Sequence, residues 1–89
     1  MPKVRFTANL QRHVQLPPVE VAGTTVRQAL ENALAQSAAG RGYVLDDQGQ
    51  LRKHMIVFLD GQAVADRQDL SDPVCPESEI YVMQALSGG

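Results

Sequence analysis

The chain ends in Ser87-Gly88-Gly89, which puts a free α-carboxylate on a backbone carrying no side chain over its last two positions. Glycine lacks a Cβ, so two in succession let the main chain take conformations closed to other residues and pass through a channel too narrow for side chains. Such a tail suits insertion into another protein's active site. Terminal glycine also has no stereocentre, so an activated carboxyl, for instance an acyl adenylate, cannot racemise there. A frayed end or an expression scar has the same composition, so the weight falls on what precedes the tail.

The remaining chemistry-bearing residues form no constellation. Cys75, the single cysteine, stands between Val74 and Pro76. As a thiol for an acyl or persulfide intermediate it lacks an evident base or helix N-terminus beside it, and a small loop hydrophobe is the simpler reading. His13 and His54 lie far apart in sequence without a ligand partner, which points to surface or packing roles. Asp46 and Asp47 lack a third acidic ligand at regular spacing and read as a solvated turn. No catalytic side chain and no metal ligand is assigned.

Length and charge exclude much else. At 89 residues the chain reads as a single domain over 1–89, with room for one modest core and none for a multi-domain enzyme with an enclosed cleft. A net charge of -2 gives no basic footprint for nucleic acid. No apolar run is long enough to span a bilayer, and Met1-Pro2-Lys3-Val4 leads into a strand pattern rather than a signal peptide. One cysteine without zinc-site spacing fits a reducing compartment, and the expectation is a cytoplasmic protein without membrane association.

Position of the tail depends on the elements before it. Val4, Phe6 and Ala8 alternate with Lys3, Arg5 and Thr7, the period of a half-buried strand. Beyond Pro17-Pro18, Val19-Glu20-Val21 alternates again before Gly23, giving a loose hairpin. Thr25 stands three residues before Gln28, a capping-box spacing that predicts a helix start. Val26, Ala29, Leu30, Ala33 and Leu34 then form one apolar stripe, with Arg27, Gln28, Glu31, Asn32 and Gln36 opposite. Burying Val26, Leu30 and Leu34 should contribute on the order of 1.5 to 3 kcal/mol each before entropy is subtracted. Gly40 is the expected stop. Residues 41–53 are the least determined; Asp46-Asp47-Gln48-Gly49 reads as a turn between Tyr43-Val44-Leu45 and Leu51, in a small hairpin or ordered loop. Met55 to Leu59 is an apolar strand ending at Asp60-Gly61, a hairpin-type dipeptide, followed by a short segment at Ala63-Val64. The last strand is Ile80 to Ala85. The order gives an α+β domain with one helix across one sheet face.

That order, with Asp60-Gly61 after the third main strand and Gly88-Gly89 just beyond the last, resembles the ubiquitin-like β-grasp sulfur carriers of the ThiS/MoaD family. The resemblance covers nearly the whole chain and is most specific over Ser78-Glu79-Ile80-Tyr81-Val82-Met83-Gln84-Ala85-Leu86-Ser87-Gly88-Gly89. Family members commonly have Gly-Asp in the turn before the last strand, where this chain has Glu77-Ser78. The implied fold is a ubiquitin-like β-grasp, a mixed sheet of four to five strands with one helix packed across one face and a flexible tail over 86–89.

The resemblance also implies a function. An E1-like adenylating enzyme would use ATP to adenylate the Gly89 carboxylate, and a sulfur donor protein would supply the sulfur that turns it into a thiocarboxylate. Ser87, Gly88 and Gly89 would thread into the partner, Gly89 being the covalent attachment point. A downstream sulfur-accepting synthase would then receive the sulfur. The chain would be a carrier cosubstrate, or the small subunit of a heteromeric synthase, rather than an enzyme, and would bind no cofactor itself. Segment 43–54 looks more like the longer molybdopterin-type and cysteine-type carriers than the shortest thiamine-type ones. A second use begins with the same adenylate: a protein modifier conjugated through Gly89 to lysines. A passive binding module with an incidental tail is a third.

Period 2 also places Ile56 and Phe58 opposite Met55, Val57 and Leu59, and Tyr81 and Met83 opposite Ile80 and Val82. Adjacent strands would then expose an apolar patch for docking the activating or acceptor enzyme. Cover by the Arg41 to Lys53 segment is the alternative.

Overall fold

The computed structural model describes residues 1–7 and 16–84. Strand β1 (Lys3–Phe6) alternates as its sequence does, Val4 and Phe6 buried and Lys3 and Arg5 exposed. Strand β2 (Val19–Glu20) pairs antiparallel with it, Val19 opposite Val4. Ala8 and His13 lie outside the described residues.

Helix α1 (Val26–Leu34) buries all five residues of the expected stripe. Thr25 Oγ1 accepts from the Gln28 N–H at 3.2 Å, the first half of the capping box. The second half is displaced by one residue, because Gln28 Oε1 accepts from the N–H and hydroxyl of Thr24, at 2.9 and 3.0 Å. Arg27 donates to the carbonyls of Gly49, Asp69 and Gln68 at 2.7, 2.9 and 3.2 Å, tying the helix to two loops.

Gly40 does not stop this helix. The α-helical residues end at Leu34, and a second helix, α2 (Ala38–Val44), begins after Ser37, whose hydroxyl accepts from the Gly40 N–H at 3.0 Å. Gly40 is buried inside α2, where a Cβ would come within 2.8 Å of Leu16 Cδ2. It is there for close packing rather than for a left-handed cap. The expected single helix is thus two, the second clamped to the first by Arg41, which donates to both carboxylate oxygens of Glu31 at 2.9 and 3.1 Å.

After α2, a bridge between Leu45 and Leu51 closes the small antiparallel turn expected over 46–49. Asp46 Oδ1 accepts from the N–H groups of Gln48 and Gln50, both at 2.9 Å. Strands β3 (Met55–Leu59) and β4 (Gln62–Ala63) are joined by Asp60-Gly61, with φ of 51° and 87°. Positive φ at both positions is what a two-residue hairpin of the right twist requires, and Asp-Gly supplies it cheaply. Strand β5 (Glu79–Gln84) completes a five-stranded sheet of order β2-β1-β5-β3-β4, with β1 and β5 parallel and the other pairs antiparallel. Met55, Val57, Val4, Phe6, Ile80 and Val82 share the inward face and are buried with the α1 stripe in one apolar cluster. Leu59 is only partly buried, against its edge.

Two loops rest on carboxylates. Asp72 accepts from the N–H groups of Ala65 and Asp66 at 2.9 and 3.0 Å. Asp66 accepts from the Ser71 hydroxyl and, at 3.0 Å, from the Asp69 N–H, holding a turn in which buried Leu70 takes a φ of 54°. The Ser71 hydroxyl and then the Asp69 N–H hold the Asp66 carboxyl below its ordinary range; the Gln50 N–H does the same for Asp46. A carboxyl depressed in the folded state stabilises above its unfolded pKa of about 4, and this is lost as pH falls through the lower folded value. The urea midpoint is therefore expected to fall as pH drops below about 4, and Asp66→Asn to lower it at neutral pH while flattening its acid dependence. An acid slope identical to that of the unsubstituted protein would show that Asp66 does not titrate with unfolding.

Candidate functional site

Strand β5 is the last described element and the middle strand of the sheet. It pairs with β1 from Lys3 opposite Glu79 to Phe6 opposite Val82, and with β3 from Leu59 opposite Ile80 to Met55 opposite Gln84. The Thr7 N–H extends the first ladder, donating to the Val82 carbonyl at 3.1 Å. Being held on both sides fixes β5 as far as Gln84, its last described residue, opposite Met55 at the start of β3. Ala85, Ser87, Gly88 and Gly89 lie outside the described residues.

The turn before β5 departs from the Gly-Asp pattern of the resembling family without losing its closure. Ser78 is buried, its Oγ accepting from the Cys75 N–H at 2.9 Å and its N–H donating to the Cys75 carbonyl at 3.0 Å. The Ser78 carbonyl in turn accepts from the Lys3 N–H at 3.0 Å, and Glu79 N–H donates to Asp60 Oδ1 at 2.9 Å. A serine hydroxyl here starts the last strand in register with the first.

On the outward face of the sheet, Phe58 lies directly opposite Tyr81 and Ile56 opposite Met83. Tyr81 is 40% exposed and the other three are half-buried. Arg5 spans the neighbouring strand: its guanidinium is 5.9 Å from the Tyr81 ring centre and 3.7 Å from Glu79 Oε1. Arg5, Phe58, Gly61, Glu79, Tyr81 and Met83 line a shallow, largely apolar concavity, to which Ile56 does not contribute. The 41–53 segment packs instead on the α1 side, through Arg41 on Glu31, Gly49 on Arg27, and Leu45 and Leu51 in the core.

The other singled-out residues stay apart. Cys75 is a free thiol exposed in its turn, rather than a packed hydrophobe. His54 is exposed beside Lys53. Among the described residues no group of three His, Cys, Asp or Glu is placed to hold a metal ion, and no helix is long and apolar enough to cross a membrane. Sequence reasoning passed over one feature: Arg52, Lys53 and His54 gather with Arg67 at the start of β3. Arg67 donates to the carbonyls of Met55 and Arg52 at 2.7 and 3.2 Å. The run of three bases before an apolar strand was the available signal; the approach of Arg67 from twelve residues beyond Met55 left none.

No protein-family model matches the sequence, and no curated protein gives a significant match. Solved structures do match over almost the full length. SAMP1 from Haloferax volcanii is 26% identical with a TM-score of 0.78, the match covering 99% of this chain and 98% of that one. A chain of the Amycolatopsis orientalis BexX/CysO complex is 19% identical, with a TM-score of 0.80 and complete coverage of both. Urm1 from Sulfolobus solfataricus is 13% identical with a TM-score of 0.70, covering 93% of this chain and 99% of that one. The fold is the ubiquitin-like β-grasp, and its structural neighbours are small carrier and modifier proteins of the kind that the ThiS/MoaD resemblance implied.

Proposed function

We propose that the chain is a sulfur carrier whose Gly89 carboxylate is adenylated and converted to a thiocarboxylate. The observation that carries this reading is a Gly-Gly terminus that follows closely in sequence on β5, the central strand of a ubiquitin-like β-grasp sheet. An E1-like enzyme would join the carboxylate to AMP, releasing pyrophosphate from ATP. The terminal sulfur of a donor's persulfide would displace AMP, and a thiol would cleave the resulting acyl disulfide, leaving the thiocarboxylate and an oxidised disulfide. The carboxylate needs this activation because it is a poor electrophile without a good leaving group. The thiocarboxylate is then ionised at neutral pH, with sulfur as a soft nucleophile, and an acceptor synthase of the cysteine or molybdopterin type would take it. No step requires a side chain of this protein as acid, base or metal ligand.

The test is incubation of the purified protein with ATP, the E1-like enzyme encoded by the same genome and a persulfide donor. One carboxylate oxygen should be replaced by sulfur, read as that mass increment on the C-terminal peptide. A modifier role is the second reading, favoured by the likeness to a protein described as small archaeal modifier protein 1. Higher-mass conjugates in extract, with Gly89 in an isopeptide bond to lysine, would be its signature.

The outward concavity would be the docking surface in either case. Phe58→Asp is expected to weaken binding to the E1-like enzyme or to the acceptor by about tenfold or more, as loss of a buried aromatic anchor does, with thermal unfolding showing an intact fold. Unchanged affinity for both partners would remove this face from the interface.

A further inference from the structure

The outward concavity is bounded at one end by the Asp60-Gly61 turn, and several of its lining residues belong to one connected rim. Gly61 follows Asp60 directly, and Glu79 is the first residue of β5. The Arg5 guanidinium stands 3.7 Å from Glu79 Oε1 and 5.9 Å from the Tyr81 ring centre. The Arg5–Glu79 pair is long and solvated, and a pair of that kind orders little by itself. The rim is held from further back.

Asp60 does not line the concavity, yet it is bonded twice to Glu79. Its N–H donates to the Glu79 carbonyl at 2.9 Å, and its Oδ1 accepts from the Glu79 N–H at 2.9 Å. Leu59 opposite Ile80 is the last pair of the β3–β5 ladder, so Asp60 and Glu79 come next in register. Opposed residues of an antiparallel hydrogen-bonded pair exchange both of their N–H···O bonds. At Asp60 the chain turns out of the ladder with a φ of 51°, and the carboxylate takes the place of the main-chain carbonyl as the second acceptor. Two requirements therefore meet at one position, a positive φ and a side-chain oxygen at the right reach. Asp and Asn are enriched among the non-glycine residues that adopt positive φ, and both carry that oxygen.

We propose that Asp60 is a positioning residue for partner docking: its carboxylate fixes the start of β5 and, through Glu79, the rim of the concavity before any partner arrives. The proposal rests on the docking role given to this face above and adds a residue that lies outside the concavity itself. A rim already ordered in the free domain does not have to be ordered at docking, so that cost is not subtracted from the binding free energy.

The experiment measures KM and kcat for thiocarboxylate formation by the E1-like enzyme from the same genome, well below the thermal unfolding of each variant, together with amide hydrogen exchange at Glu79 in the free domain. Asp60→Gly keeps the backbone freedom and removes the acceptor, whereas Asp60→Asn keeps both. Asp60→Gly should raise KM about three- to tenfold, the worth of one hydrogen bond, and the Glu79 N–H should exchange faster. Its kcat should be unchanged, because on the carrier reading the reacting carboxyl belongs to Gly89. Asp60→Asn should restore both KM and protection. Asp60→Ser, whose hydroxyl stops one bond short of the Oδ1 position, replaces the glycine variant if that variant does not fold. Unaltered exchange at Glu79, or accelerated exchange with an unaltered KM, would overturn the proposal and leave Asp60 with a role in turn stability alone. Phe58→Asp in the same assay separates this inference from the one beneath it. A raised KM there with none at position 60 refutes the positioning role by itself; no effect at Phe58 refutes the docking surface, and the positioning role with it. Failure of the unsubstituted chain to form thiocarboxylate would refute the carrier reading instead.

Discussion

Removal of Gly89 is expected to abolish sulfur loading completely while leaving the folded domain unchanged. The loss should be total because the reacting carboxyl itself is moved, one residue short of the activating site, and no side chain can substitute for it. Gly88→Val separates reach from shape. It keeps the length and the terminal carboxylate of Gly89 but places a β-branched side chain on a backbone that, on the proposed carrier reading, would thread a narrow channel. Loading should be suppressed here too, with unfolding midpoints unaltered, since position 88 contributes nothing to the described core. Cys75→Ser should load normally, although that thiol is exposed and free. Sulfur recovered on Cys75, or loading that survives deletion of Gly89, would transfer the chemistry from the terminus to the thiol and overturn the mechanism.

The contrast between tail and thiol illustrates what could be read from residues alone. Period 2 in Lys3 to Phe6 and the period near 3.6 in Val26 to Leu34 were legible because each element has a buried and a solvated face, which composition must respect. The Asp60-Gly61 hairpin was legible because positive φ at two successive residues restricts the choice of side chain. Helix α2 was not. Gly40 and Gly42 disguise it as a linker, and the reason for Gly40 is the close approach of Leu16, a contact across more than twenty residues that leaves no local trace. The approach of Arg67 to Arg52, through its hydrogen bonds to the Met55 and Arg52 carbonyls, is equally non-local. The outward face was anticipated from strand parity, but parity cannot say that Arg5 of a neighbouring strand lies over Tyr81, or that Ile56 stands outside the concavity.

Leu30→Ala carries the largest expected stability effect, about 2 to 5 kcal/mol by equilibrium denaturation. Leu30 is fully buried at the middle of α1, in the cluster that includes Val4, Val57, Ile80 and Val82. At nine residues, α1 is shorter than the roughly 12 to 15 that isolated helices need, so it is held by what it covers rather than by its own propensity. Truncation removes apolar contact and leaves a cavity that a sheet ordered on both sides of β5 cannot readily close. Against a total stability of about 5 to 15 kcal/mol for a small domain, a loss of that size consumes much of the margin. Tyr81→Ala, on the solvated face of the same sheet, should cost at most about 1 kcal/mol. Equal costs at the two positions would mean that α1 does not cover the inward face. With the expected inequality, Leu30→Ala should also reduce sulfur loading, but only in proportion to the unfolded fraction, and cooling or mild stabilisation by sulfate should restore it. Gly88→Val should resist that rescue, because its defect lies in the thread and not in the domain that presents it.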